Sequence, residues 1–97
     1  MVVALSSRDK DVIIIGEKSP GSYALEVLHR FRSGGKRIVL KAYGHNISKA
    51  AYVAETLRRV TGGKAAYCRI ALNSEELGEE TEEKCVPTIE IEMLYEG

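Results

Sequence analysis

Two helix-period apolar stripes, each stopped by a pair of glycines and each preceded by a short β-type run, restrict this chain to one alternating architecture. In the first stripe Ala24, Val27, Leu28 and Phe31 recur at three- and four-residue spacing within Tyr23–Arg32, which puts them on one side of a helix. Ser33-Gly34-Gly35 ends it, because glycine readily enters the left-handed conformation that closes helices. In the second stripe Ile47, Ala50, Ala51, Ala54 and Leu57 share a face, Lys49, Tyr52, Glu55 and Arg59 fall largely elsewhere, and Gly62-Gly63 is the stop. Ser19 or Ser22 can cap the first helix, with Pro20 in its opening turn, and the second starts near Asn46 or Ser48.

The runs between the stripes read as strands. Val12-Ile13-Ile14-Ile15 is a continuous β-branched run ended by Gly16, the pattern of a strand buried on both faces. Arg37–Tyr43 alternates, with Ile38, Leu40 and Ala42 on one side and Val39, Lys41 and Tyr43 on the other. Lys64–Leu72 alternates again, and Pro87–Tyr95 answers it with Ile89, Ile91 and Met93 on one face and Glu90 and Glu92 on the other. The acidic stretch between them reads as a long hairpin loop. The order is strand, helix, strand, helix, strand, strand. Right-handed crossovers make this an α/β (α+β two-layer) sandwich: first two strands parallel, both helices on one face, last two strands an antiparallel hairpin.

A chain of 97 residues buries only about two-thirds of its unfolded surface, so a single domain over 1–97 is expected. No apolar run approaches the roughly 20 residues that span a bilayer. Arg8, Asp9, Lys10 and Asp11 before Val12 do not suit a signal peptide. These features predict a cytoplasmic protein. Cys68 and Cys85 are too few for a disulfide framework or a four-ligand zinc site; two unpaired thiols are expected, with a disulfide between them, as in intracellular proteins of extreme thermophiles, the alternative. Fourteen basic and fourteen acidic residues cancel, so any attraction to phosphate must come from arrangement. Lys36–Lys64 holds seven Lys or Arg against the single acid Glu55, while Glu75–Glu83 holds six Glu and no base. Such separation can present one basic surface on a neutral protein.

At Lys41-Ala42-Tyr43-Gly44-His45-Asn46-Ile47-Ser48-Lys49-Ala50 the chain resembles the Alba family of archaeal DNA/RNA-binding chromatin proteins, whose pattern there is K-A-x-G-R-A-I-S-K-A. Val12–Gly16 with Lys18 and Tyr23, Glu55 with Arg58, and Pro87-Thr88-Ile89-Glu90-Ile91 against S-T-I-E-I extend the resemblance over nearly the whole chain. The resemblance implies a dimer that binds DNA or RNA, and a fold like the C-terminal domain of bacterial translation initiation factor three. Family members place two lysines after the glycine of the first loop and two arginines around the glycine of the second. These positions are Glu17, Lys18, Tyr43 and His45 here, so only Lys18 is retained. Regulation by acetylation at the first lysine is therefore unavailable at Glu17. Thr61 stands where many members have a phenylalanine used in dimer-to-dimer packing, and the usually basic hairpin is glutamate-rich. The chain thus resembles a divergent second paralogue.

Both strand-to-helix loops are expected at one rim of the sheet, where helix N-termini offer N–H groups and partial positive charge to phosphate. Lys18 adds a full cation, with Ser19 and Ser22 beside it. Lys49 extends the patch, and Lys41 lies on a strand and snorkels over the sheet edge. Tyr43 and His45 can stack on exposed bases or sugars, and Asn46 can reach phosphate but suits a helix cap better. Arg58 and Arg59 read as solvated charges or partners of Glu55. The Gly16–Gly21 spacing imitates a nucleotide-binding loop, but Ser22 stands where its lysine belongs. His29 and His45 have no nearby nucleophile. The expectation is a chromosome-associated protein that binds double-stranded DNA or RNA through the backbone, with no catalytic residues, metal, cofactor or membrane. It acts as a homodimer or, alternatively, as a weakly binding subunit pairing with a more basic homologue. Met93 and Leu94 on the last strand fit a self-complementary contact.

Overall fold

The computed structural model describes residues 11–76 and 85–97. In chain order the elements are β1 (Asp11–Ile14), α1 (Pro20–Arg32), β2 (Arg37–Tyr43), a 3-10 turn (Gly44–Asn46), α2 (Ile47–Val60), β3 (Ala65–Glu76) and β4 (Cys85–Tyr95). The sheet order is β1-β2-β4-β3, with β1 parallel to β2 and the other two pairs antiparallel. Both helices lie on one face, as the crossover rule requires. No helix among the described residues is long and apolar enough to cross a membrane.

Local chemistry explains the helix ends. Ser19 has extended dihedrals and its side chain accepts from the Ser22 N–H, with Pro20 opening α1. At the other end the Gly35 N–H donates to Arg30 O at 2.9 Å, and a Cβ on Gly35 would meet that same carbonyl at 2.9 Å; only glycine allows this closure without displacement. The start of α2 differs from expectation. Asn46 has helical dihedrals and its side chain makes no cap bond, because the 3-10 turn feeds straight into the helix.

The core lies between the helices and the covered sheet face, where Val27, Phe31, Val53 and Leu57 meet Ile13, Ile15, Ile38, Leu40, Ile91 and Met93. Each such aliphatic side chain contributes about 2 kcal/mol by burial. The rings of Phe31 and Tyr95 stack at 4.5 Å. On α2 the buried set is Ala50, Val53, Ala54 and Leu57, whereas Ala51 is exposed; the helix is rotated slightly from the expected phase.

Three further expectations change. The run Val12–Ile15 is not buried on both faces: Ile13 and Ile15 enter the core, but Val12 and Ile14 are 55% and 53% exposed, because the helices cover one face only and β1 is an edge strand. Met93 is fully buried under the helices and is no candidate for a dimer contact, while Leu94 is half-buried on the open face. The hairpin strands run on to pair Glu75 with Val86 and Glu76 with Cys85, so the acidic loop is shorter than expected; residues 77–84 of that stretch lie outside the described residues. Cys68 and Cys85 are free and exposed. With Cys85 opposite Glu76, they stand roughly 26 Å apart at about 3.3 Å per residue, beyond disulfide reach.

Candidate nucleic-acid interface

Because β1 and β2 are parallel neighbours, their carboxyl ends open on the same rim, and the loops into α1 and α2 emerge side by side. The Ile15 N–H donates to Lys41 O at 2.8 Å, carrying the pairing one residue past β1. The next residues then fold around Tyr23 of α1. Its hydroxyl accepts from the Gly16 N–H at 2.8 Å and from the Lys18 N–H at 3.3 Å. Lys49, in the first turn of α2, reaches the same loop and donates from Nζ to Gly16 O at 2.7 Å and to Lys18 O at 2.9 Å. The Lys18 side chain is exposed, its ammonium 5.6 Å from the centre of the Tyr23 ring.

The predicted residues are thus only partly gathered. Lys18, Ser19, Ser22 and Lys49 share the rim. The Ser19 and Ser22 hydroxyls are exposed and 3.2 Å apart, and Ser19 Oγ holds the Ser22 N–H. His45 is exposed and Asn46 half-buried in the 3-10 turn, about one helical turn before Lys49. Gly44 begins that turn at a φ of 56°, where a side chain is strained. Tyr43 ends β2 on the open face, paired with Thr88 and lying 5.4 Å from the Lys41 ammonium. Pro20–Ser22 already belong to α1, so Gly16–Gly21 is not a glycine cradle.

Sequence reasoning expected loop amides to face the ligand, and the structure redirects several of them. The Gly16 and Lys18 N–H groups serve Tyr23, the Ser22 N–H serves Ser19, and the Ile47 N–H serves Gly44 O. Side-chain cations must therefore carry most of any attraction at this rim. Tyr23 was legible only as part of an apolar stripe, although a buried tyrosine, unlike phenylalanine, needs a partner for its hydroxyl.

The open face shows how the acidic hairpin meets the basic middle of the chain. Register places Lys41 opposite Glu90 and Val39 opposite Glu92, with Arg69 opposite Glu92 from the other side. Glu92, only 3% exposed, receives Arg37 at 2.8 Å and Arg69 at 3.3 Å. Arg69 also reaches Glu90 at 3.3 Å, and Lys41 lies 3.6 Å from Glu75 and 3.7 Å from Glu90. The Tyr43 hydroxyl, followed by Glu75 and Glu90, raises the Lys41 pKa above its ordinary value, so this lysine stays a paired cation. The separation of charge along the sequence is cancelled in space on this face. On α2, Arg58 pairs with Glu55, as expected, and the Tyr67 hydroxyl bonds the same carboxylate. Arg58 first, then Tyr67, hold the Glu55 carboxyl down at about 2.

The Alba family pattern matches residues 11–74. The chain belongs to the Alba family. Among Alba relatives, the "DNA/RNA-binding protein Alba" of Thermoplasma volcanium is 35% identical over 85 residues, covering 88% of this chain and 96% of the relative. The protein of the same name from Picrophilus torridus is 38% identical over 84 residues, covering 86% and 93%. The solved structure of Alba from Thermoplasma volcanium superposes with a TM-score of 0.79 at 36% identity, covering 87% of this chain and 99% of that one. ALBA1 from Trypanosoma brucei superposes at 0.74 with 19% identity, covering 88% and 68%, a likeness of fold. Against the Alba background, Thr61 has a visible local role: its hydroxyl donates to Leu57 O at 2.8 Å and accepts from the Ala65 N–H at 3.0 Å, tying the end of α2 to the start of β3.

Proposed function

We propose that this protein binds DNA or RNA duplexes through the phosphate backbone, without reading sequence, as a dimer and in an architectural rather than catalytic role on the chromosome or on RNA inside the cell. The observation that carries the reading is the rim itself: the first loop fastened to the first turn of α2 by Lys49, with Lys18 exposed. Relatives named for DNA/RNA binding support it. Phosphate contacts of this kind fix position and carry most affinity while carrying no sequence information.

The dimer has a surface to form on. β3 is the sheet edge beyond the helices' reach, and its helix-side residues Ile70 and Leu72 are 55% and 68% exposed. Tyr67, on the same face of β3, bonds Glu55 of α2, and Tyr52, about one turn earlier on α2, is 66% exposed. A contiguous apolar patch of this type on a small domain fits a self-complementary contact with a second copy. Leu72→Glu is expected to give a monomer by sedimentation.

Titrating DNA and RNA duplexes at several salt concentrations tests the function. If a dimer neutralises about four to six phosphates, the log–log slope of affinity against salt is roughly −4 to −5. Absence of binding at low salt for both duplexes would end the reading. A second reading, a mixed dimer in which this chain pairs with a more basic homologue, is favoured by the cancelled charge of the open face and by the exposed Glu17. Native mass spectrometry of the mixture discriminates: two persisting homodimers count against it.

A further inference from the structure

We infer that Lys49 is a positioning residue for Lys18 and not itself one of the phosphate contacts, an inference that rests on the nucleic-acid reading of the rim. An ammonium has three donors, and two of those on Lys49 end on carbonyls of the first loop, Gly16 O at 2.7 Å and Lys18 O at 2.9 Å. These bonds span 33 and 31 residues of chain, so they join elements that nothing local would hold together.

The same two loop residues are gripped from the other side. Gly16 and Lys18 each give their N–H to the Tyr23 hydroxyl. Each is therefore fixed at its amide by a side chain of α1 and at its carbonyl by a side chain of α2. Glu17, between them, is exposed, and so is Lys18, the cation of the clamped loop. A helix-surface lysine meant for phosphate would keep its donors in water until the ligand arrived. Lys49 is half-buried and already bonded. Losing it frees the loop, so that binding must then order Lys18 as well as contact it.

Direct contact and positioning leave different marks on the salt dependence. A phosphate-contacting lysine removed from both protomers makes the log–log slope shallower by about 2, since each released counterion contributes about 0.9; Lys18→Met is expected to do this. Lys49→Met is expected to weaken duplex binding about tenfold while the slope changes by less than half as much as for Lys18→Met. In the protein without nucleic acid, hydrogen exchange at the Gly16 and Lys18 amides is expected to accelerate in Lys49→Met and to stay unchanged in Lys18→Met. A slope loss in Lys49→Met equal to that of Lys18→Met overturns the inference, as does unchanged affinity or unchanged exchange. If Lys49→Met does not fold, Lys49→Arg makes the same comparison: its charge suits a phosphate contact, but its longer planar head does not fit the two carbonyls, so positioning predicts weaker binding at an intact slope and direct contact predicts none. If the unsubstituted protein binds neither duplex, the functional reading fails, and the exchange measurement still decides whether Lys49 holds the loop.

Discussion

The loop rim and the open face of the sheet both carry cations, yet one leaves its lysine unpaired while the other cancels its charges against carboxylates. On the open face Arg37, Lys41 and Arg69 meet Glu75, Glu90 and Glu92 across the β2–β4–β3 ladder. At the rim Lys18 has an aromatic ring beneath it and no carboxylate within ion-pair distance among the described residues. The difference teaches that the register of strands far apart in sequence, more than the count of lysines and arginines, decides which cations remain available to an anion. A paired surface cation still attracts phosphate, but it must first exchange one partner for another, and that exchange gains little.

Reversing charge on each side gives the sharpest contrast. Lys18→Glu is expected to weaken binding to every duplex sequence about 10- to 100-fold and to flatten the salt slope by about 2; Lys41→Glu, measured in the same titrations, is expected to stay within about threefold. Equal losses would erase the distinction between the two surfaces. Next comes stability. Arg69→Met removes one of the arginines holding the buried Glu92, which is expected to cost about 1–2 kcal/mol in denaturant unfolding and to leave duplex affinity within about twofold.

A smaller effect probes the cancellation from the acidic side. The double substitution Glu75→Gln and Glu90→Gln releases Lys41, and duplex affinity at low salt is expected to rise about threefold; an unchanged affinity would place Lys41 beyond reach of the ligand. The smallest effect concerns acid. The Glu55 carboxyl is held at about 2, below its ordinary 4.5, so its contribution is present above the ordinary value and fades as pH falls from about 4.5 towards 2. The melting-temperature gap between the natural chain and Glu55→Gln is therefore expected to narrow across that window. A gap constant through it would contradict the assignment.

Much of this arrangement was legible in the sequence because it follows from local rules. Glycine pairs marked the ends of both helices, alternation marked β2 and β4, and the crossover rule put both loops at one rim. What was not legible depends on partners distant in the chain. Whether Val12 and Ile14 are covered is a question of sheet order, and a β-branched run looks the same in an edge strand as in a central one. Lys41 reads as a free cation until Glu90 is found opposite it, 49 residues later. Asn46 has the composition of a cap, but the turn before it removes the extended geometry that capping needs. Beyond Leu72 the strand β3 turns polar, so its continuation to Glu76 has no apolar period to reveal it. Lys18 could be singled out from its loop alone; the grip of Tyr23 and Lys49 on that loop could not.

An NMR titration of the labelled protein with a short duplex at low salt tests the central claim most directly. The account predicts shifts concentrated at Gly16–Ser22 and at Gly44–Lys49, with the amides of Arg37, Arg69, Glu90 and Glu92 undisturbed. Shifts centred on the open face, with Lys18 and its loop unmoved, would contradict it.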